Sequence, residues 1–404
     1  MSKTNSDRHA LGPPFKLAIC AGLGALALAG CGGGGDPSSA LTETAQQRDS
    51  ACGVRGSVVA FTSSRGPFAT LPAGFLPGDN WEVWLMDDDF LNPGLPQQLT
   101  ENFPPLEKPG TGGDTFAALT RKGQIVFDSN RDRDAAREAV NTSDLFLMNL
   151  DGSKQTKLTR GSSATWSPNG QRIAFHRSAQ YDGTPSSTLV PIRGDPGAPA
   201  PDSDIFVAKL SDLLKGKAPT NLTRVEPRVH IHDDADWSPD GKTIVYTRHR
   251  VTDTVQTNLV TAEICMIDAK GKRSPVCILQ NGEEERAPSW SPDGSKIAYM
   301  CRKGAATLPA NPRFEICVIN ADGSGETRLT TDTFFDATPL WSPDGRKIMF
   351  SRTITGVGQQ VWLMNAVDGS EQVALTTPPG INTATSWLEV CAGNAGHGKR
   401  AADD

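Results

Sequence analysis

The chain has 404 residues, 37% of them hydrophobic and 21% charged, a balance that excludes disorder for the bulk of it and accommodates one large or two average domains. A net charge of -6 gives no basic footprint for nucleic acid. Forty glycines and 29 prolines without sustained helical periodicity predict many turns and short strands, hence an all-β chain.

From the N-terminus, Lys3, Arg8 and Lys16 precede the apolar run "LAICAGLGALALAG" (Leu17 to Gly30), which is too short to span a bilayer and ends in small residues. Residues 1–30 therefore read as a secretory signal. The tetrad Leu28-Ala29-Gly30-Cys31 resembles the bacterial lipobox, which implies acylation of Cys31 and a membrane-anchored mature chain. The residue after Cys31 is Gly32, not an aspartate, and by the same resemblance this favours the outer membrane, facing the periplasm or the cell surface. Residues 31–56 are glycine-rich and almost free of apolar side chains, as in a flexible tether.

A repeat fills residues 57–390. The first strand-like run, "SVVAFTSSR" (Ser57 to Arg65), has no partner strand before it, and "EVWLMD" follows from Glu82. "TFAALTRKGQIVFDSNR" then joins two apolar runs through Gly123, with Leu119 where later copies have Trp. Four copies of "WSPDG" or "WSPNG" begin at Trp166, Trp237, Trp290 and Trp341. Pro, Asp and Gly in that order make a turn between antiparallel strands, and the preceding Trp suits an inner strand packed against a neighbouring sheet. Later runs open at Asp144, Asp204, Glu263, Glu315 and Gln360, and the units end at Leu99, Leu158, Leu222, Ile278, Leu329 and Leu375, at spacings of 59, 64, 56, 51 and 46 residues. Periods of this size with four short strands each predict propeller blades. "TATSWLEV", with Trp387, supplies at the C-terminal end the inner strand missing at the start, so the expected fold is six four-stranded antiparallel blades closed by the last strand pairing into blade one. Residues 391–404 form a tail.

The repeat is similar to that of TolB-type six-bladed propellers. The resemblance implies this fold, and by analogy a protein-binding or scaffolding role. The chain departs from the family pattern in having only the tether where TolB-type proteins carry an α/β domain, and in its lipobox-like cysteine.

An Arg closes the second strand of each unit (Arg65, Arg131, Arg177, Arg248, Arg302, Arg352) and is expected to pair with the acid opening the third. The residues five before each inner-strand Trp or its equivalent are Asn382, Asp114, Gly161, His232, Glu285 and Asp336, expected to ring the mouth of the central channel and favour a basic partner. Blade four adds "HIHDDAD", in which His230 and His232 share one side of a strand, next to Asp233. With His176 they are candidates for a divalent metal, the cofactor of an alternative reading as a metal-dependent polysaccharide lyase; the leading reading needs no cofactor. The insertion from Ser178 to Ser203 should border this face. Nucleophile-elbow, P-loop and zincin motifs are absent, so a protein-binding envelope lipoprotein ranks above an enzyme. Of the exported cysteines, Cys265 with Cys277 and Cys301 with Cys317 lie on consecutive strands and are expected to pair, leaving Cys52 and Cys391 to bond at the closing seam.

Overall fold

The structure, a computed structural model, describes residues 55–64, 81–87, 96–100, 113–129, 131, 143–178, 203–224, 230–250, 261–279, 283–302, 313–378 and 381–391. The signal, the tether up to residue 54 with Cys31 and Cys52, the interior of the 178–203 insertion and residues 392–404 lie outside them, as do the side chains of His230 and Cys391; β1 begins at Arg55, two residues inside the expected tether.

Strand alternation and turn chemistry build six antiparallel meanders. Blade one holds β1 (Arg55–Ser63), β2 (Glu82–Asp87) and β3 (Gln97–Gln98), with β24 (Asn382–Cys391) added as its inner strand. Blade two is β4 (Asp114–Leu119), β5 (Gln124–Ser129), β6 (Asp144–Asn149) and β7 (Thr156–Arg160). Blade three runs β8 (Ser162–Trp166), β9 (Arg172–Ser178), β10 (Ser203–Lys209), a short helix α1 (Leu210–Leu213) and β11 (Thr220–Asn221). Blade four is β12 (His230–Trp237), β13 (Thr243–Arg250), β14 (Thr261–Asp268) and β15 (Val276–Cys277). Blade five is β16 (Glu284–Trp290), β17 (Lys296–Arg302), β18 (Glu315–Asn320) and β19 (Thr327–Arg328). Blade six is β20 (Phe335–Trp341), β21 (Lys347–Ile354), β22 (Gly358–Asn365) and β23 (Val373–Ala374).

The circle closes as the repeat implies. The inner strands touch in the cyclic order β24, β4, β8, β12, β16, β20 and back to β24. The last strand pairs antiparallel along β1, from Asn382 opposite Ser63 to Cys391 opposite Arg55, so no inner edge is left open.

Side chains from adjacent blades form the core between them. Trp166 packs with Leu145 and Leu147 of blade two and Phe175 and Phe206 of blade three, and its Nε1 donates to the Ala118 carbonyl at 3.0 Å. Trp341 likewise donates to Ser289 O of blade five at 3.2 Å. The turns after these strands are held from within: Ser238 Oγ donates to Asp240 at 2.7 Å, and the Lys242 amide donates to the same carboxylate oxygen. Gly241 has φ +68, and a Cβ there would lie 3.6 Å from Pro168 of the preceding turn. Gly294 and Gly345 repeat the relation with Pro239 and Pro292, so the hairpin turns stack around one end of the propeller.

Two of the expected disulfides are present, Cys265–Cys277 and Cys301–Cys317. No helix among the described residues is long and apolar enough to cross a membrane.

Candidate functional site

In four of the six blades the polar residue that opens the third strand, Glu82, Asp204, Glu315 or Gln360, begins a recurring network. The Thr of the Leu-Thr ending folds back on it: Thr100 donates to Glu82 at 2.6 Å, Thr223 to Asp204 and Thr330 to Glu315 at 2.8 Å, and Thr376 to Gln360 at 2.9 Å. The same hydroxyl oxygens accept the amides of Val83, Ile205, Ile316 and Val361. The next blade then locks on. His232 Nδ1 lies 3.3 Å from Asp204 Oδ1, Asn382 Nδ2 donates to Gln360 Oε1 at 2.8 Å, and Asp336 shares a cluster with Glu315 and Asp332.

This corrects the expectation of an open acidic ring. Asp114, Glu285, Asp336 and Asn382 are fully buried and His232 is 2% exposed. Instead of meeting solvent, His232 and Asn382 reach polar groups of the blade before them and Asp336 lies with Glu315 of blade five, while Asp114 holds Arg131 within its own blade. The arginines are also redistributed. Only Arg248 of the described pairs reaches the expected acid, Glu263, at 2.6 Å. Arg131 takes Asp114 (2.7 Å), Arg302 takes Glu284 (3.1 Å), and Arg352 takes Asp336 (2.7 Å) and Asp332 (2.6 Å), while the Arg177 guanidinium lies over the Phe206 ring. Burial raises Asp336 above the usual carboxylate range despite Arg352. Burial acts on Asp204 in the same direction, but hydrogen bonds from His232, Asn221 and Thr223 prevail and hold it low.

A second feature, which nothing in the repeat marks, is a bulge three residues before the inner-strand Trp or its equivalent in blades two to six. Phe116, Ser163, Asp234, Ala287 and Thr338 adopt φ between +47 and +50, and the pairing register shifts there in β4, β8, β12, β16 and β20. Left-handed Phe and Thr are unfavourable by themselves and persist because neighbours over-determine them. The Ser163 amide donates to both oxygens of Asp128 in blade two, and the Ala287 amide to Thr247 Oγ1 in blade four. Asp236 accepts the amides of Trp237 and, in blade five, Trp290. Burial raises Asp128 to about 7 and Asp236 to about 6.

At the blade-four bulge the carboxylates keep some exposure. Asp233 is 26% exposed and binds His249 Nε2 through both oxygens, at 3.0 and 3.1 Å. Burial would raise it, but that hydrogen bond, the charge of His249 and that of Arg286 hold it below the usual range. Asp234 beside it is raised to about 7, by burial and then by Asp233. With Asp233 ionised and Asp234 only partly so near neutrality, the pair can accept a cation or a hydrogen-bond donor. The two ends of the insertion lie beside β12: Ser178 pairs with Ser203, Ser203 pairs with Ile231, and Ser203 Oγ donates to the His232 carbonyl at 2.9 Å.

Of the metal candidates, the two with described side chains, His232 and His176, are engaged differently. His232 is engaged with Asp204 and the edge of Tyr246, whereas His176 lies in the electrostatic neighbourhood of Asp233 and His249, and burial keeps it neutral. Among the described residues, the two groups of converging donors contain no histidine: Glu263, Cys265 and Cys277 include a disulfide, and Glu315, Asp332 and Asp336 hold Arg352 and Arg328.

Residues 201–389 match the family model described as the TolB beta propeller domain. Among curated proteins, the Tol-Pal system protein TolB of Rhizorhabdus wittichii is 38% identical over 72 residues, 18% of this chain and 16% of that protein. The Bordetella pertussis protein of the same name is 27% identical over 149 residues (28% and 33%), and the uncharacterized peptidase YuxL of Bacillus subtilis 28% over 131 residues (32% and 18%). The chain spans a third or less of each of these relatives. In solved structures, TolB from Acinetobacter baumannii superposes with TM-score 0.54 at 16% identity, over 86% of this chain and 71% of that one. Hydrazine synthase from Kuenenia stuttgartiensis gives 0.56 at 14%, over 84% and 47%. At these identities the likeness concerns the fold.

Proposed function

We propose that this chain, a TolB-like β-propeller, is a protein-binding module of the bacterial cell envelope, held at a membrane through Cys31 and working from the blade-four side of its channel. The observation that carries the reading is the partly exposed Asp233–Asp234 pair, presented on a strained bulge of β12, the strand next to the paired ends of the 178–203 insertion. A rigid, negatively charged notch of this kind suits a basic side chain of a protein partner. The buried residues Asp114, His232, Glu285, Asp336 and Asn382 are then the frame that holds the notch, not its contact surface. The relatives named for the Tol-Pal system support the envelope setting. The metal-dependent lyase would need His230, His232 and His176 to act together, and the engagement of His232 with Asp204 weighs against it.

The test is affinity capture from envelope extract with the wild-type chain, an Asp233→Asn/Asp234→Asn variant, and one lacking residues 179–202. Both variants should lose the captured partner while keeping the cooperative unfolding of the wild type. Undiminished capture by both would place the binding surface elsewhere, and stoichiometric metal removed by His230→Ala/His232→Ala would favour the lyase.

A further inference from the structure

The stacked hairpin turns at the other end of the propeller carry the opposite charge. In a four-stranded meander the turns between strands one and two and between strands three and four fall at the same end. In blade three that end holds Lys209, Lys215 and Lys217 around α1, and in blade four Lys270, Lys272 and Arg273 after β14; all six are exposed. Blade two adds the exposed Arg121 and Lys122 in its first turn. The three blades form one surface. Gly170 packs on Thr120, Gly241 on Pro168, and a Cβ at Gly271 would lie 3.2 Å from Leu222. The acids within it are fewer: Asp151, Asp212, Asp240 and Asp268, two of them neutralised by Lys217 (3.0 Å to Asp212) and Lys242 (3.1 Å to Asp240). A chain of net charge -6 therefore concentrates an excess of cations here.

Two apolar side chains stand among these cations without cover, Leu214 at 53% and Val276 at 65% exposure. Leu213, the neighbour of Leu214, is buried and packs with Leu210 and Leu158 of blade two, so α1 is held rigidly with Leu214 outermost. Cations interleaved with protruding aliphatic groups fit a charged interface with an apolar layer beneath it better than a hydrophilic polyanion.

We propose that the hairpin-turn end of blades two to four docks on an anionic membrane surface, with Leu214 and Val276 entering the headgroup layer. Docking this end leaves the Asp233–Asp234 notch, at the opposite end, directed away from the bilayer towards a partner. The inference goes beyond partner binding and does not require acylation of Cys31.

The experiment is co-sedimentation of the full-length chain with vesicles of phosphatidylcholine alone and of phosphatidylcholine mixed with phosphatidylglycerol. The quantity read is the increment caused by the anionic lipid, compared between wild type and variants that carry the same N-terminal run, so the contribution of Lys3, Arg8 and Lys16 is common to both. Lys209→Glu/Lys215→Glu/Lys217→Glu and Lys270→Glu/Lys272→Glu/Arg273→Glu should each reduce the increment by at least roughly 100-fold, the loss of three surface cations before the repulsion of the added carboxylates. Arg346→Glu, an equally exposed change in blade six, should leave it unaltered, and added salt should abolish the wild-type increment. Equal sedimentation of the wild type with both vesicle types, or an undiminished increment in both triple variants, overturns the proposal. Failure of the anchored reading is seen separately, as membrane association in cells that does not change with Cys31→Ala.

Discussion

Asp234 shows how a single residue can couple the notch to pH. Its folded value is raised to about 7 from the ordinary 3.8, so between those values the folded chain holds a proton that the unfolded chain has released. Its contribution to stability is complete below the ordinary carboxylate value and is lost as pH rises towards about 7. Asp234→Asn removes that loss. The variant should gain melting temperature relative to wild type at pH 8 and show no such gain at pH 4, measured by thermal denaturation in matched buffers. Thr330 illustrates the buried latch at the same scale. It is 1% exposed, donates to Glu315 and accepts the Ile316 amide, so Thr330→Val strands two buried groups. An equilibrium loss of about 1–3 kcal/mol in urea is expected.

At the scale of the element, the turns explain why glycine recurs where it does. The Gly369 position, φ +70, lies against the Leu329 carbonyl of the neighbouring blade, whereas Gly356, φ +81, has nothing within 4 Å of a built Cβ. Both alanine substitutions meet the left-handed penalty of roughly 1–2 kcal/mol. Gly369→Ala must in addition push two blades apart, so its denaturation midpoint should fall clearly below that of Gly356→Ala. A reversed order would show that the turn does not set the blade spacing. The inner-strand Trp serves the same spacing from the other side: Trp341→Ala should cost about 3–5 kcal/mol through the void it leaves. Trp341→Phe, which removes the bond to Ser289 but fills most of the space, should cost about 1 kcal/mol.

For the whole molecule, the ring is held by one long strand pairing and by local cross-links of different reach. Cys301 and Cys317 are fully buried, while Cys277 lies partly exposed on an outer strand. Their loops span 16 and 12 residues, each worth roughly 3 kcal/mol in the chain-entropy view. Reductant should therefore open Cys265–Cys277 under native conditions, with Cys301–Cys317 reduced only near the unfolding transition, as followed by thiol alkylation and peptide mapping. The seam between β1 and β24 is the other determinant. Ending the chain before Asn382 exposes β1 as an open inner edge, and the product should unfold at a lower temperature and self-associate. The Cys52–Cys391 bond proposed at that seam falls outside the described side chains and is checked by the same peptide map.

The blade architecture was legible in the sequence because its signals are local. Trp-Ser-Pro-Asp-Gly encodes a turn whose Ser and Asp bond each other within five residues, and six spaced copies of a strand pattern admit few closed arrangements. Closure by Trp387's strand and the two disulfides followed from counting strands. What each charged side chain meets was not legible. Arg131 and Arg352 turn to inner-strand acids, and His232 reaches back to Asp204 of the preceding blade, because the blade twist decides which of several nearby carboxylates lies within reach. The left-handed bulge at Asp234 is hidden for a related reason. Residues as different as Phe116, Ser163, Ala287 and Thr338 occupy the same position, so no residue type announces it. Local chemistry thus determined the repeat and its closure, and only the packing of blade on blade decided which acids became buried latches and which were left at the notch.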